Sequence, residues 1–191
     1  MTALLSLRQF SVVRGEPLID SFELTVAAGE CVELRGANGT GKSTLLRCIA
    51  GVSSDYTGDI DAQPSAYLAH ADGLSGLLTA RENLLWYARI AGRDLSEDAV
   101  VEQLRPLGVE HLARRLCQSL SAGQRRRVAL ARLRLLERPL WLLDEPLTAL
   151  DPDGAARVRE TIQSHCDAGG GALVATHEDL GLPARQVWLD R

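Results

Sequence analysis

Eight residues, Gly36-Ala37-Asn38-Gly39-Thr40-Gly41-Lys42-Ser43, constrain this chain more than any other stretch. They fit the spacing G-x-x-x-x-G-K-[ST], whose physical logic is a backbone wrapped around a polyphosphate. Glycine lets successive N–H groups point inward where a Cβ would obstruct them. A helix starting near Gly41 adds the positive end of its dipole beneath the phosphates. Lys42 brings a mobile charge for the outer phosphates, and the Ser43 hydroxyl is an oxygen ligand suited to Mg²⁺. The flanks agree: residues 30–35 alternate as a strand, and residues 44–50 read as a helix closed by Gly51. Gly36, Ala37, Asn38, Gly39, Thr40, Gly41, Lys42, Ser43 and Thr44 are therefore the candidate nucleotide contacts.

A chain of 191 residues, 46% of them hydrophobic, can bury one substantial core. A net charge of −4 gives no general attraction to nucleic acid, and no such partner is expected. No apolar run approaches the roughly 20 residues of a membrane helix. Residues 1–8 are too short for a signal peptide and place their charge after the apolar part. Cys31, Cys48, Cys117 and Cys166 are scattered without a C-x-x-C pair. Neither disulfides nor a zinc site is expected, and a reducing cytosol is the default.

Ahead of the loop, residues 5–13 and 22–26 read as paired strands with a turn over 14–17. Arg14 stands where a flat side chain would serve base stacking, and its planar guanidinium is a candidate for that role. Residues 56–60 and 66–69 are further strands, the second ending at His70, a polar residue on the lip of a strand where ligands bind. From Thr79 to about Leu116 the pattern is helical. Thr79-Ala80-Arg81-Glu82 is a capping box, Ser96 caps a second helix, and Pro106-Leu107-Gly108 stops it. Trp86 and Tyr87 are expected to pack inside this helical stretch, with a partner-protein groove as the alternative.

Ser121 is a good N-cap with Gln124 three residues on, so Ser121-Ala122-Gly123-Gln124 opens a second helix able to face an anion. The following Arg125-Arg126-Arg127 reads as a solvated, ion-paired helix face. Leu140-Trp141-Leu142-Leu143 is an apolar strand ending in Asp144 and Glu145. Asp144 is placed to join Ser43 around Mg²⁺. Glu145 cannot duplicate that role, because strand side chains alternate, and it can instead polarise a water in line with the terminal phosphate. Asp151 caps a helix with Pro152 at its first position. Residues 172–176 form one more buried strand, with His177 at its carboxyl end able to donate to a phosphate oxygen.

With these pieces placed, the chain resembles the nucleotide-binding domain of ABC transporters over nearly its whole length. Gly36 to Ser43 matches the Walker A loop, Leu120-Ser121-Ala122-Gly123-Gln124 the signature, and Leu140 to Asp144 Walker B. Glu145 matches the catalytic glutamate, Thr148 to Asp151 the D-loop, and His177 the switch histidine. The resemblance implies an α/β fold of P-loop NTPase type. It implies a mostly parallel core sheet over about 1–70 and 135–191, an N-terminal antiparallel layer, and a helical subdomain over about 71–134. It implies ATP hydrolysis with Mg²⁺ and a head-to-tail dimer, in which Walker A of one chain and the signature of the other enclose ATP. It also implies integral membrane partner subunits.

The alanine in the signature, the arginine-rich helix after it, and His70 at the Q-loop glutamine position resemble one branch more closely. That branch is the ATP-binding subunit of the haem exporter of cytochrome c maturation, which works on the cytoplasmic face of the bacterial inner membrane. Catalytic roles are then expected for Glu145, His177, Lys42 and His70. A soluble ABC ATPase of DNA repair or translation usually carries two cassettes or a long coiled coil, and neither is seen. In a P-loop kinase or GTPase the signature helix would have no purpose.

Overall fold

The computed structural model describes residues 2–189, with the side chain of Arg14 outside that description. The chain divides into two compact units, residues 1–69, 138–145 and 162–191, and residues 70–137 with 146–161.

The first unit holds two sheets. In the antiparallel one, β1 (Ala3–Arg14) is the centre, flanked by β2 (Glu16–Ala27) and β4 (Thr57–Ala62). The strands run longer than the sequence suggests: Arg14 pairs with Glu16, so only Gly15 turns. The buried positions of β1 change phase, from Leu5 and Leu7 to Phe10 and Val12. A bulge between Leu7 and Phe10, with Gln9 at φ 48, supplies the extra residue that flips the alternation. Ser21, at φ 46, sits where β2 makes the same change, from Ile19 to Leu24 and Val26.

The second sheet has five parallel strands in the order β5-β6-β7-β3-β8. They are β3 (Cys31–Arg35), β5 (Ser65–Leu68), β6 (Leu140–Asp144), β7 (Gly171–Ala175) and β8 (Arg185–Trp188). Every residue of β6 and β7 is buried, as expected for parallel strands covered on both faces. One face packs with the antiparallel layer and α1 (Lys42–Ile49) around Leu34, Leu45, Leu46, Leu142 and Leu173. Each such leucine contributes about 1.5–3 kcal/mol by leaving water. Trp141 stacks on His165 with ring centroids 4.0 Å apart and planes within 7°.

The second unit is helical: α2 (Ala80–Ile90), α3 (Glu97–Leu104), α4 (Ala122–Leu136) and the first part of α5 (Pro152–Asp167). Both capping boxes form, at Thr79 with Glu82 and at Ser121 with Gln124. Ser96 accepts from Ala99 N–H, and the Asp151 carboxylate accepts from Gly154 N–H at 2.9 Å.

Two expectations are corrected here. Trp86 does not pack inside the unit but is 52% exposed, on the same face of α2 as the exposed Ile90. The face over 125–127 is not simply solvated, since Arg126 is buried. It lies against Asp72 Oδ1 at 3.3 Å and donates to the His70 carbonyl at 3.2 Å.

Candidate nucleotide-binding and catalytic site

Because the strands are parallel, the carboxyl ends of the adjacent strands β6, β7 and β3 open on one edge. From β3 the chain enters the loop 36–41, where Gly36, Gly39 and Gly41 adopt φ of 149, 83 and 105. A Cβ on Gly36 would lie 2.6 Å from the Leu189 carbonyl oxygen and 2.9 Å from Thr40 Oγ1, so glycine is required. Gly41 caps α1 without any side-chain hydrogen bond, so the first-turn N–H groups keep no intrahelical acceptor. The buried Lys42 curls back along the loop, its Nζ donating to the carbonyls of Gly36 at 2.7 Å and Ala37 at 2.9 Å. An ammonium has three donors and two are satisfied this way. Thr40 Oγ1 donates to the Ala37 carbonyl, fixing the turn around Asn38 and Gly39.

At the end of β6, the Asp144 carboxylate accepts from Ser43 Oγ at 3.0 Å, across 101 residues of sequence. Two hard oxygen donors this close form the kind of set Mg²⁺ takes, and the pairing is the observation that fits the ion to this place. Glu145, the next residue, has φ 51. A non-glycine there costs on the order of 1–3 kcal/mol and needs support. The support is its own N–H, which donates to the Ala175 carbonyl at 2.9 Å. This kink turns Glu145 out of the strand alternation, and its Oε1 meets His177 Nδ1 at 2.9 Å. The hydrogen bond and charge of Glu145 raise the His177 pKa above the usual 6.5, with Glu178 adding slightly and Lys42 opposing. Lys42, Ser43, Asp144, Glu145 and His177 thus gather at one sheet edge. The Arg14 side chain lies outside the described residues.

The remaining sequence candidates lie in the second unit. His70 is exposed, and the loop after it is fastened by several partners. Arg126 holds the His70 carbonyl and Asp72, and Arg125 Nε stands 3.7 Å from Asp72 Oδ2. The Tyr87 hydroxyl donates to the Gly73 carbonyl, and Asn83 bonds both backbone groups of Ser75. Arg132 lies over the Tyr87 ring, 4.5 Å from its centroid. Asp72 and Arg126 were missed by sequence reasoning, although an aspartate beside His70 and a surplus arginine after the signature were both visible signals. At the signature, the capping box takes the N–H groups of Ser121 and Gln124. Those of Ala122 and Gly123, with no intrahelical acceptor in the first turn, remain for an anion. Gly123 backs onto the segment 148–151: an added Cβ would lie 2.6 Å from the Ala149 carbonyl oxygen.

Residues 19–148 match the model of the ABC transporter family. The chain belongs to the ABC transporter family. Within it, the chain is 43% identical to the cytochrome c biogenesis ATP-binding export protein CcmA of Rhodobacter capsulatus, over 96% of this chain and 86% of that one. It is also 43% identical to the CcmA protein of Paracoccus denitrificans, over 96% and 87%. Among solved structures it superposes on the ATP-binding subunit of an ABC transporter with a TM-score of 0.80 and 28% identity, over 91% and 79% of the two chains.

Proposed function

We propose that this chain is the ATP-hydrolysing subunit of an exporter serving cytochrome c biogenesis, a single ABC nucleotide-binding domain acting as a head-to-tail dimer on integral membrane partners. One observation carries the reading: a phosphate loop, a hydroxyl–carboxylate pair and a Glu–His pair meet on the edge of three adjacent parallel strands. Similarity to the CcmA proteins points it toward cytochrome c biogenesis.

The division of labour follows from the contacts. Lys42 exchanges its loop carbonyls for the oxygens of the outer phosphates, a stronger charge-assisted bond. Ser43 and Asp144 would hold Mg²⁺, which would supply positive charge to offset that of the phosphates. Glu145 orients and polarises the attacking water, and His177 holds the Glu145 carboxylate and donates toward phosphate. His70 is the candidate for the role of the glutamine that the wider family carries at this position, and Arg14 is the candidate to stack on adenine. The signature Ser121-Ala122-Gly123-Gln124 of the second copy closes the cage with its helix N-terminus.

Among the described residues no helix is long and apolar enough to cross a membrane. The passage itself belongs to partner subunits, with this chain on the cytoplasmic face of a bacterial inner membrane. The exposed Trp86 and Ile90 of α2 are the face offered to those partners. A strain lacking the gene tests this. Wild type restores c-type cytochromes and co-purifies membrane subunits, whereas Lys42→Ala restores neither assembly nor ATPase activity. Full cytochrome assembly with Lys42→Ala refutes the reading.

A further inference from the structure

The strand β3 carries a feature that the reaction described above does not use. The strands β6 and β7 of the same sheet are apolar between their ends, yet β3, which lies between β7 and β8, buries Glu33 to 1% exposure. Removing a carboxylate from water is costly unless its oxygens are matched, and a fully apolar strand is the ordinary solution in this setting. Both oxygens of Glu33 are matched. Oε2 accepts from Arg35 Nε at 2.8 Å, two residues along the same face, and the Arg35 Nη2 completes the ion pair at 2.7 Å without a hydrogen bond of its own. Oε1 leaves the sheet altogether and accepts from the backbone N–H of Leu180 at 3.0 Å, a bond buried across 147 residues of sequence.

Leu180 lies three residues beyond His177. The segment between them is a series of local turns, with Thr176 Oγ1 bonded to both backbone groups of Glu178 and the Gly181 N–H bonded to Asp179. Its upstream end is held by the Thr176 N–H on the Leu34 carbonyl at 3.2 Å. Its downstream end is held by Glu33, and Arg35 Nη2 also faces Asp179 Oδ1 at 3.9 Å. Both members of the pair, the buried Glu33 and the half-buried Arg35, therefore reach the same loop, from the strand that launches the phosphate loop. A pair serving only the sheet would not need an oxygen directed at a loop amide.

The geometry points to Glu33 as the positioning residue for His177, with Arg35 keeping its carboxylate matched, so that the His177 ring stays within reach of Glu145. This rests on the reading of His177 given above. Displacing a catalytic side chain by about 1 Å can cost up to 10²-fold in rate, so the loss should appear in kcat and not in nucleotide affinity.

The test compares two near-isosteric pairs in the full-length chain. Glu33→Met with Arg35→Leu replaces the ion pair by apolar groups and removes the acceptor for Leu180. Glu33→Gln with Arg35→Leu keeps a neutral acceptor in the same place. The expected result is that both variants melt close to wild type and bind ATP with unchanged Kd. The methionine pair should lose at least about tenfold in kcat, and the glutamine pair should recover most of it. Wild-type kcat in the methionine pair overturns the inference, as does a methionine pair that fails to fold, which would make Glu33 a folding element only. A fully active His177→Ala chain removes the underlying reading and this inference with it. An inactive His177→Ala beside a fully active methionine pair removes the inference alone.

Discussion

Glu145 is the residue on which hydrolysis should turn, and its backbone explains how it leaves the strand pattern. Glu145→Gln keeps size and hydrogen bonding while removing the base, so ATP should still bind while turnover falls about 10²-fold or more. Steady-state ATPase assays check this, and near-normal turnover contradicts it. The same substitution should be visible at His177. Its folded pKa lies above 6.5 because Glu145 favours the imidazolium, so the stability it lends is complete below about pH 6.5 and is lost as pH rises through the raised value. An NMR titration should place the wild-type imidazole above 6.5 and Glu145→Gln lower; identical titrations would contradict the pairing. For His70, glutamine should retain substantial ATPase activity by restoring a neutral acceptor, whereas His70→Ala should lose activity or coupling with little change in ATP affinity. The adjacency of Asp144 and Glu145 was legible in the sequence. The left-handed turn that separates their directions was not, because it depends on the Ala175 carbonyl from a strand thirty residues away.

Among the elements, the strand–loop–helix order around Gly36 and the capping boxes were legible because local chemistry dictates them. The phase flips of β1 and β2 were not, since a bulge is placed by the partner strand's register as much as by the residue itself. Arg126 looked solvated because three arginines in a row suggest an exposed face, and only the return of Asp72 onto α4 buries it. Trp86 was misplaced for the opposite reason: an aromatic in an amphipathic helix usually packs inward, and here it faces out. At the signature, Gly123 must be small because its Cβ position faces the Ala149 carbonyl at 2.6 Å. Gly123→Ala should force the first turn of α4 away from that segment and cost about 1–3 kcal/mol, read from chemical denaturation. A neutral alanine would show that the contact yields.

For the whole molecule, the two units place the phosphate loop in one and the signature helix in the other. A second anion-facing helix start in a chain that already has a phosphate loop makes sense where two copies meet head to tail across nucleotide. The resemblance to ABC transporters implies the same arrangement, which uses each surface twice. Mixing two damaged chains tests it against a site closed within one chain. Lys42→Ala removes the phosphate grip, and Ser121→Arg puts bulk and charge at the signature while leaving that chain's own phosphate loop intact. The measurement is the ATPase rate of each variant alone and of an equimolar mixture. Each alone should be inactive, and the mixture should recover up to about a quarter of the wild-type rate, since random pairing leaves half the dimers mixed with one intact site in each. Wild-type turnover by Ser121→Arg alone, as from a site complete within one chain, would contradict the head-to-tail dimer.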